Sequence, residues 1–136
     1  MSAMTDEPTA GSSRVVLIAE DDRDIRELVV TKLSGAGYRM IAVADGVSAL
    51  NAIREQLPDL ALLDVMMPGC SGLDVIGKLR TDERTAAVPV ILLSAKSQDF
   101  DVETGLASGA VDYIVKPFSP RELVERVEAV LRRTRG

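Results

Sequence analysis

Residues 60–69 read LALLDVMMPG, and this stretch decides the fold. Its first four residues, Leu60 to Leu63, are all apolar, which is typical of a strand that helices cover on both faces. Asp64 ends the apolar run, and Pro68 and Gly69 mark a loop soon after it. A carboxylate at the end of a wholly apolar strand costs free energy unless it is paired or used. We therefore take Asp64 as the first candidate for a functional residue.

Short apolar runs and longer amphipathic stretches alternate in the same way along residues 14–133, which is typical of βα units. We predict strands at Val15–Ala19, Met40–Val43, Leu60–Leu63, Val90–Leu93 and Tyr113–Val115. We predict five helices. The first has an apolar stripe from Ile25 to Leu33, the second follows Asp45 and Gly46, and the third spans 72–80 with Ser71 as its cap. The fourth spans 98–108 and is the weakest, and the fifth follows Ser119. Right-handed crossovers then give an α/β fold, a flavodoxin-like doubly wound sheet of five parallel strands in the order 2-1-3-4-5 with helices on both faces.

The length of 136 residues fits a single domain. We expect a disordered tail over 1–13, the domain over 14–133, and the start of a linker or C-terminal tail over 134–136. The net charge of −5 argues against direct binding of nucleic acid or of a membrane surface by this portion. With a single cysteine, Cys70, and no signal-peptide or membrane-spanning pattern, the expected location is the cytoplasm. The absence of histidine excludes His-based catalysis and His-ligated metals, so any metal must be bound by oxygen.

Polar side chains follow four of the predicted strands and should share one crevice at the carboxyl edge of the sheet. They are Glu20 and Asp21 after the first strand, Asp64 after the third, Ser94 after the fourth and Lys116 after the fifth, while Asp22 also follows the first strand. Two carboxylates roughly 4 Å apart repel by about 4 kcal/mol at an effective dielectric of about 20. Lys116 alone does not balance three of them, and Mg²⁺ suits a site with few protein oxygen ligands. The cluster therefore predicts a metal site.

Each of these residues also has a purely structural interpretation. Acidic residues cap helices, and we prefer that interpretation for Asp22 and Asp24, whereas the other strand ends favour metal binding for Glu20 and Asp21. Lys116 could be a solvated lysine, but the bond to Pro117 at a strand end is a candidate cis peptide that would fix its direction. Serine caps turns everywhere, so only the position of Ser94 argues for function. Tyr113 is by itself a half-buried aromatic residue.

Four elements in this order resemble the receiver domain of two-component response regulators. They are Glu20-Asp21, then Asp64-Val65-Met66-Met67-Pro68 with Gly72, then Ser94-Ala95, and last Lys116-Pro117-Phe118. The resemblance covers residues 14 to about 133. Residues 109–123, GAVDYIVKPFSPREL, are similar to the winged-helix transcription-factor branch of that family.

The resemblance implies that Asp64 accepts a phosphoryl group from a sensor histidine kinase, a phosphotransfer protein or a small phosphodonor. Mg²⁺ would be bound by Asp21, Asp64 and the Met66 carbonyl, with Glu20 acting through water. Lys116 would pair with the acyl phosphate, and the Ser94 hydroxyl and the Ala95 N–H would bind its oxygens. The protein would be no enzyme for other substrates, because it would catalyse only its own phosphorylation and dephosphorylation.

The family also implies a switch, in which Ser94 and Tyr113 move inward and repack the face formed by the fourth helix, the fifth strand and the last helix. That face would form a homodimer after phosphorylation. The charged residues available for it are Lys96, Asp101, Asp112, Glu122 and Arg126, while Phe100, Val102 and Val111 stand where charges are more usual.

Several positions depart from the commoner family pattern. Glu20 replaces Asp, and Ser94 replaces Thr. Met66 and Lys96 lie where the family tunes dephosphorylation, and an apolar Met66 cannot orient a water molecule, so we predict slow self-dephosphorylation.

Three other functions fit parts of the pattern. A haloacid-dehalogenase-like phosphohydrolase would need a second Asp two residues after Asp64, where Met66 stands. A flavin-binding module would need a hydroxyl-rich phosphate loop in place of Glu20-Asp21-Asp22, which repels phosphate. A pseudo-receiver that acts only as a binding module would not need the intact site.

Overall fold

The computed structural model describes residues 14–95 and 109–134. Within them it has five strands and four helices. The strands are β1 (Val15–Ala19), β2 (Arg39–Val43), β3 (Leu60–Asp64), β4 (Val90–Ala95) and β5 (Asp112–Lys116), and the helices are α1 (Arg23–Gly35), α2 (Gly46–Gln56), α3 (Gly72–Arg80) and α4 (Pro120–Thr134). The predicted helix over 98–108 and the predicted tail over 1–13 lie outside the described residues. No helix of the described part is long and apolar enough to cross a membrane.

All strand pairs are parallel, and the sheet order is β2-β1-β3-β4-β5, which confirms the predicted fold. The central strands β1 and β3 contain the unbroken apolar runs Val15–Ala19 and Leu60–Leu63, as expected of strands that are covered on both faces. The edge strands β2 and β5 are only partly buried. The carboxyl ends of β1, β3, β4 and β5 therefore meet along one edge.

Side chains alternate between the two faces of the sheet and build two apolar clusters. In β1, Leu17 and Ala19 belong to the cluster that includes residues of α2 and α3. Val16 and Ile18 belong to the other cluster, together with residues of α1 and α4. One face of the sheet is thus covered by α2 and α3, and the opposite face by α1 and α4.

Polar caps fix where the helices begin, at the residues that the sequence predicts. Asp22 caps α1 through the N–H groups of Asp24 and Ile25, as its structural interpretation requires. Asp45 caps α2, and Ser71 forms the predicted capping box at the start of α3. The Ser119 hydroxyl accepts the N–H of Glu122 at 3.0 Å at the start of α4. Each cap satisfies backbone donors that a helix leaves unpaired at its first turn.

The loop between β3 and α3 is held tightly against the end of β3. The Gly72 N–H donates to the Val65 carbonyl at 3.0 Å. A Cβ atom at position 72 would lie 2.5 Å from the Asp64 carbonyl oxygen, so this close approach requires glycine. Gly46 likewise leaves no room for a side chain against the Cys70 backbone, and Cys70 is buried in the apolar cluster beside α2 and α3. The position of Asp64 is therefore fixed by backbone packing on its loop side.

The strands differ from the prediction at their ends. Ser94 was expected to follow the fourth strand, whereas β4 continues through it to Ala95. Ser94 pairs with Val115, which lies within the predicted β5, and Ala95 pairs with Lys116, because β5 starts one residue earlier and ends one residue later than predicted. Of the residues added to the two predicted strands only Ala95 is apolar, so ladder pairing rather than the apolar pattern extends them.

Candidate functional site

Three carboxylates gather at the carboxyl edge of the sheet. Glu20, Asp21 and Asp64 each offer an oxygen, and these oxygens all lie within 4.8 Å of one another. Glu20 is fully buried and Asp64 is 3% exposed, whereas Asp21 is exposed. Two of the three carboxylates are thus withdrawn from water, which is costly unless an opposite charge lies close to them.

Lys116 provides that charge from the end of β5. Its Nζ lies 3.0 Å from Glu20 Oε1 and 3.3 Å from Asp64 Oδ2. Burial alone would lower the pKa of Lys116, but the hydrogen bond to Glu20 and the charges of both carboxylates outweigh burial and raise it. Lys116 therefore stays protonated and joins β1, β3 and β5. The peptide bond between Lys116 and Pro117 is cis.

Both carboxylate oxygens of Glu20 have partners in this structure. Oε1 accepts from Lys116, and Oε2 accepts the Asp22 N–H at 3.0 Å. Burial nevertheless raises the pKa of Glu20 to about 7, and the nearby Asp64 carboxylate raises it too, whereas the Asp22 N–H and Lys116 lower it. Burial therefore favours the neutral form of Glu20. Three carboxylates and one ammonium group meet at the site.

The backbone of the acidic loop is fixed by two hydrogen bonds, one to β2 and one to a side chain of α1. The Glu20 N–H donates to the Val43 carbonyl at 3.1 Å, which extends the pairing of β1 and β2. The Glu20 carbonyl accepts Nη1 of Arg26 at 2.8 Å. Arg26 was not among the predicted site residues, since a single arginine in an amphipathic helix gives no signal of such a contact.

Asp64 and the residue two positions later share a local contact. The Met66 N–H donates to Asp64 Oδ1 at 3.3 Å. The Met66 carbonyl lies in the same short loop after β3. The Met66 side chain is 60% exposed. Lys96, the other position predicted to tune dephosphorylation, lies outside the described residues.

Ser94 and Tyr113 lie on the other side of the sheet from the carboxylates. By the alternation along each strand, Glu20, Asp64 and Lys116 face the α1 and α4 layer. The Tyr113 side chain packs, partly buried, against the cluster beside α2 and α3, and Ser94 shares that face because it lies two residues after Leu92. The Ser94 hydroxyl donates to the Ala95 carbonyl at 3.4 Å, and within the described residues it makes no hydrogen bond with the carboxylates.

The family model for the response regulator receiver domain matches residues 16–128. The chain belongs to this family. The resemblance predicted from the strand-end motifs is therefore confirmed, and the matched region contains every predicted site residue. The acidic cluster at the strand ends fits the expected Mg²⁺, because it offers carboxylate oxygens that lie close enough together to bind one ion.

Curated relatives include DNA-binding and transcriptional regulators. The receiver domain is 48% identical over 118 residues to the DNA-binding response regulator MtrA of Mycobacterium tuberculosis, covering 87% of this chain and 50% of that protein. It is 45% identical over 121 residues to the phosphate regulon transcriptional regulatory protein PhoB of Escherichia coli, covering 89% of this chain and 53% of that protein. The chain thus spans about half the length of these relatives, and their names agree with the predicted transcription-factor branch.

Solved receiver domains have the same fold. The Francisella response regulator 1452 receiver domain matches with a TM-score of 0.81 and 36% identity over 90% of this chain and 99% of that one. The chemotaxis response regulator CheY4 of Vibrio cholerae matches with a TM-score of 0.80 and 30% identity over 86% and 98%. The predicted strand order is therefore that of the family.

Proposed function

We propose that this receiver domain is a phosphoacceptor switch in which Asp64 takes a phosphoryl group from a phosphohistidine of a sensor histidine kinase or phosphotransfer protein. The observation that carries the proposal is the buried Asp64 carboxylate, which Lys116 holds at 3.3 Å beside two further acidic side chains. A small phosphodonor such as acetyl phosphate would serve the same site.

The transfer needs one nucleophile and good positioning. An Asp64 oxygen attacks phosphorus, the bond from phosphorus to the donor imidazole nitrogen breaks, and the electron pair stays on that nitrogen. The product is an acyl phosphate on Asp64. Lys116 already lies against Asp64, so its ammonium group is in place to pair with the phosphoryl oxygens without a large movement.

Glu20, Asp21, Asp64 and the Met66 carbonyl would hold Mg²⁺, with Glu20 acting through water. When bound, the ion supplies positive charge against the carboxylates and the incoming phosphoryl oxygens. The chain's own residues arrange the rest: Lys116 keeps its proton, and the Asp22 N–H keeps the Glu20 carboxylate in place.

The read-out would use the opposite face of the sheet. Ser94 and Tyr113 lie on neighbouring strands, on the same face and diagonally related, because Leu92 pairs with Tyr113. An inward movement of the Ser94 hydroxyl toward the phosphoryl group would leave space that the Tyr113 ring can fill. This is how a local charge change would repack the surface around β5 and α4.

Mass spectrometry after incubation with acetyl phosphate and Mg²⁺ tests the central step. Wild type should gain the mass of one phosphoryl group, and Asp64→Asn should not. Asp82→Asn, a partly exposed carboxylate that pairs with Arg54 away from the site, is the control and should be phosphorylated like wild type. No added phosphate on wild type would reject the proposal.

The same assay measures the lifetime of the phosphoryl group. Met66 offers no group that could orient an attacking water, so we expect self-dephosphorylation to be slow and the protein to catalyse only these two reactions on itself. A half-life of seconds on purified protein would contradict this expectation. Turnover of p-nitrophenyl phosphate would instead favour the phosphohydrolase alternative.

The output would be transcription control through a DNA-binding part of a longer protein, as the names of the relatives suggest. Phosphorylation would favour a homodimer through the predicted helix 98–108, β5 and α4. Within the described residues Arg126 already pairs with Asp112 at 2.8 Å inside one chain, and Val111 is exposed. Sedimentation with and without beryllofluoride decides this point, and an unchanged monomer mass would reject dimerisation.

A further inference from the structure

The exposed acidic residue of the site has no side-chain partner of its own. Within the described residues, the Asp21 carboxylate makes no hydrogen bond and no ion pair, unlike those of Glu20 and Asp64. Its direction therefore depends on the backbone that carries it. That backbone is the peptide unit between Glu20 and Asp21, which is planar, so fixing the Glu20 carbonyl oxygen also fixes the Asp21 Cα atom.

Arg26 holds that carbonyl. Its Nη1 lies 2.8 Å from the Glu20 carbonyl oxygen, in a contact that reaches back six residues from the first turns of α1. A hydrogen bond from a charged donor is stronger and shorter than one between neutral groups. The Glu20 N–H is fixed at the same time by the Val43 carbonyl.

The surroundings of Arg26 make this use of its charge specific. Asp22, Asp24 and Glu27 all lie nearby along the chain, yet Arg26 forms no ion pair with any carboxylate among residues 14–95 and 109–134. Its side chain is half-buried. Arg23, one turn earlier, shows the ordinary surface behaviour, because it is exposed and pairs with Glu27 at 3.0 Å.

We propose that Arg26 is a positioning residue for the metal ligands, which orients Asp21 by holding the Glu20 carbonyl. The inference rests on the proposed function, because it assigns Asp21 to Mg²⁺. A purely electrostatic role predicts the opposite effect of removing Arg26. Loss of a cation beside the acidic cluster would by itself strengthen Mg²⁺ binding, whereas loss of positioning weakens it.

The test compares Arg26→Met and Arg26→Lys with Arg23→Met in the full chain. Both Met variants lose one positive charge from α1, but only Arg26→Met loses the contact with Glu20, whereas Arg23→Met loses a surface ion pair with Glu27. Titration calorimetry with Mg²⁺ should give an affinity about tenfold weaker for Arg26→Met, which is the usual size of the effect of an outer-shell partner. Arg26→Lys, which keeps the charge without the planar fork, should fall in between, and Arg23→Met should match wild type.

A second measurement does not depend on the metal. In the metal-free protein, the carbonyl ¹³C resonance of Glu20 should move in Arg26→Met and stay in place in Arg23→Met. Unchanged or tighter Mg²⁺ binding by Arg26→Met, or an unmoved Glu20 carbonyl resonance, would overturn the inference. Absence of Mg²⁺ binding by wild type would reject the proposed function, and the carbonyl resonance would still decide whether Arg26 holds Glu20.

Discussion

Replacement of Arg80 by methionine should destabilise the domain strongly, although Arg80 lies outside the acidic site. Its guanidinium group donates to the carbonyls of Ala86 and Val88, both at 2.9 Å, and of Gly109 at 2.7 Å. It thereby ties the end of α3 to the loop before β4 and to the chain entering β5. Partial burial lowers the pKa of Arg80, and none of the described residues supplies an ion-pair partner, so the three carbonyls compensate its charge.

The expected loss follows from these three hydrogen bonds. A hydrogen bond to a charged group contributes about 1.5–3 kcal/mol. Removal of Arg80 leaves three carbonyl oxygens without this donor, and water can replace it at the half-buried Ala86 and Gly109. Taking the low end and allowing for rehydration, we expect Arg80→Met to lower the free energy of unfolding by about 3 kcal/mol. That is a large part of the roughly 5–15 kcal/mol that stabilises a typical domain.

Urea unfolding followed by circular dichroism at the helix band measures this loss. At a slope of about 2 kcal/mol/M, the midpoint should fall by about 1.5 M with the slope unchanged. Arg84→Met is the matched control, because Arg84 is exposed and, among the described residues, its side chain donates only to the Arg54 carbonyl. Its midpoint should therefore move by less than about 0.5 M. Equal midpoints for the two variants would show that the three carbonyl contacts of Arg80 are energetically unimportant.

Three further predictions concern the site and its supports. Gly72→Ala should cost about 1–3 kcal/mol by thermal unfolding, because the new Cβ meets the Asp64 carbonyl. Gly77→Ala inside α3 should gain about 0.5–1 kcal/mol, because within the described structure the added Cβ has no atom within 4 Å apart from its chain neighbours and the backbone of its own helix. Because the pKa of Glu20 is raised in the folded state, wild type without metal should lose stability as the pH rises from about 4.5 through about 7. The Tm of Glu20→Gln should therefore rise relative to that of wild type over this range. A constant Tm difference would contradict the raised pKa of Glu20. Ser71→Ala should lower the free energy of unfolding by about 1 kcal/mol in urea, because it removes the capping box of α3, and an unchanged midpoint would exclude that role.

Much of the fold follows from local sequence. The apolar run of β3 predicts a strand that starts at Leu60, as observed, and ends one residue before the observed end at Asp64, and the Ser71 capping box predicts the start of α3 at the observed residue. These signals depend only on neighbours along the chain, such as burial on both faces of a strand or a hydroxyl that accepts an N–H three residues later. The end of β4 is less predictable, because Ser94 is drawn into the sheet by its partner in β5.

The meeting of the acidic residues with Lys116 was predictable, whereas the placement of Ser94 and the hydrogen bonds of the site were not. Strand order places Glu20, Asp64 and Lys116 at one edge, and the carboxylate oxygens and the lysine do meet there. The sequence did not indicate that Asp22 and Lys116 occupy both oxygens of Glu20, or that Arg26 binds its carbonyl. Such contacts depend on approach angles between elements distant in sequence, and residue type does not encode these angles.

Side chains of β4 alternate between the two faces of the sheet, so the number of residues before Ser94 decides which face its hydroxyl occupies. The acidic residues and Ser94 lie on opposite faces of one sheet, so the Ser94 hydroxyl would have to pass the end of β4 to reach a phosphoryl group on Asp64. Deletion of one residue ahead of Ser94 would rotate the hydroxyl to the α1 and α4 side and turn an apolar side chain toward Tyr113, since strands have a period of two. A deletion of two residues would restore the face but displace the hydroxyl by about 6.6 Å along the strand. Insertions and deletions in this strand should therefore be far less tolerated than substitutions on its surface.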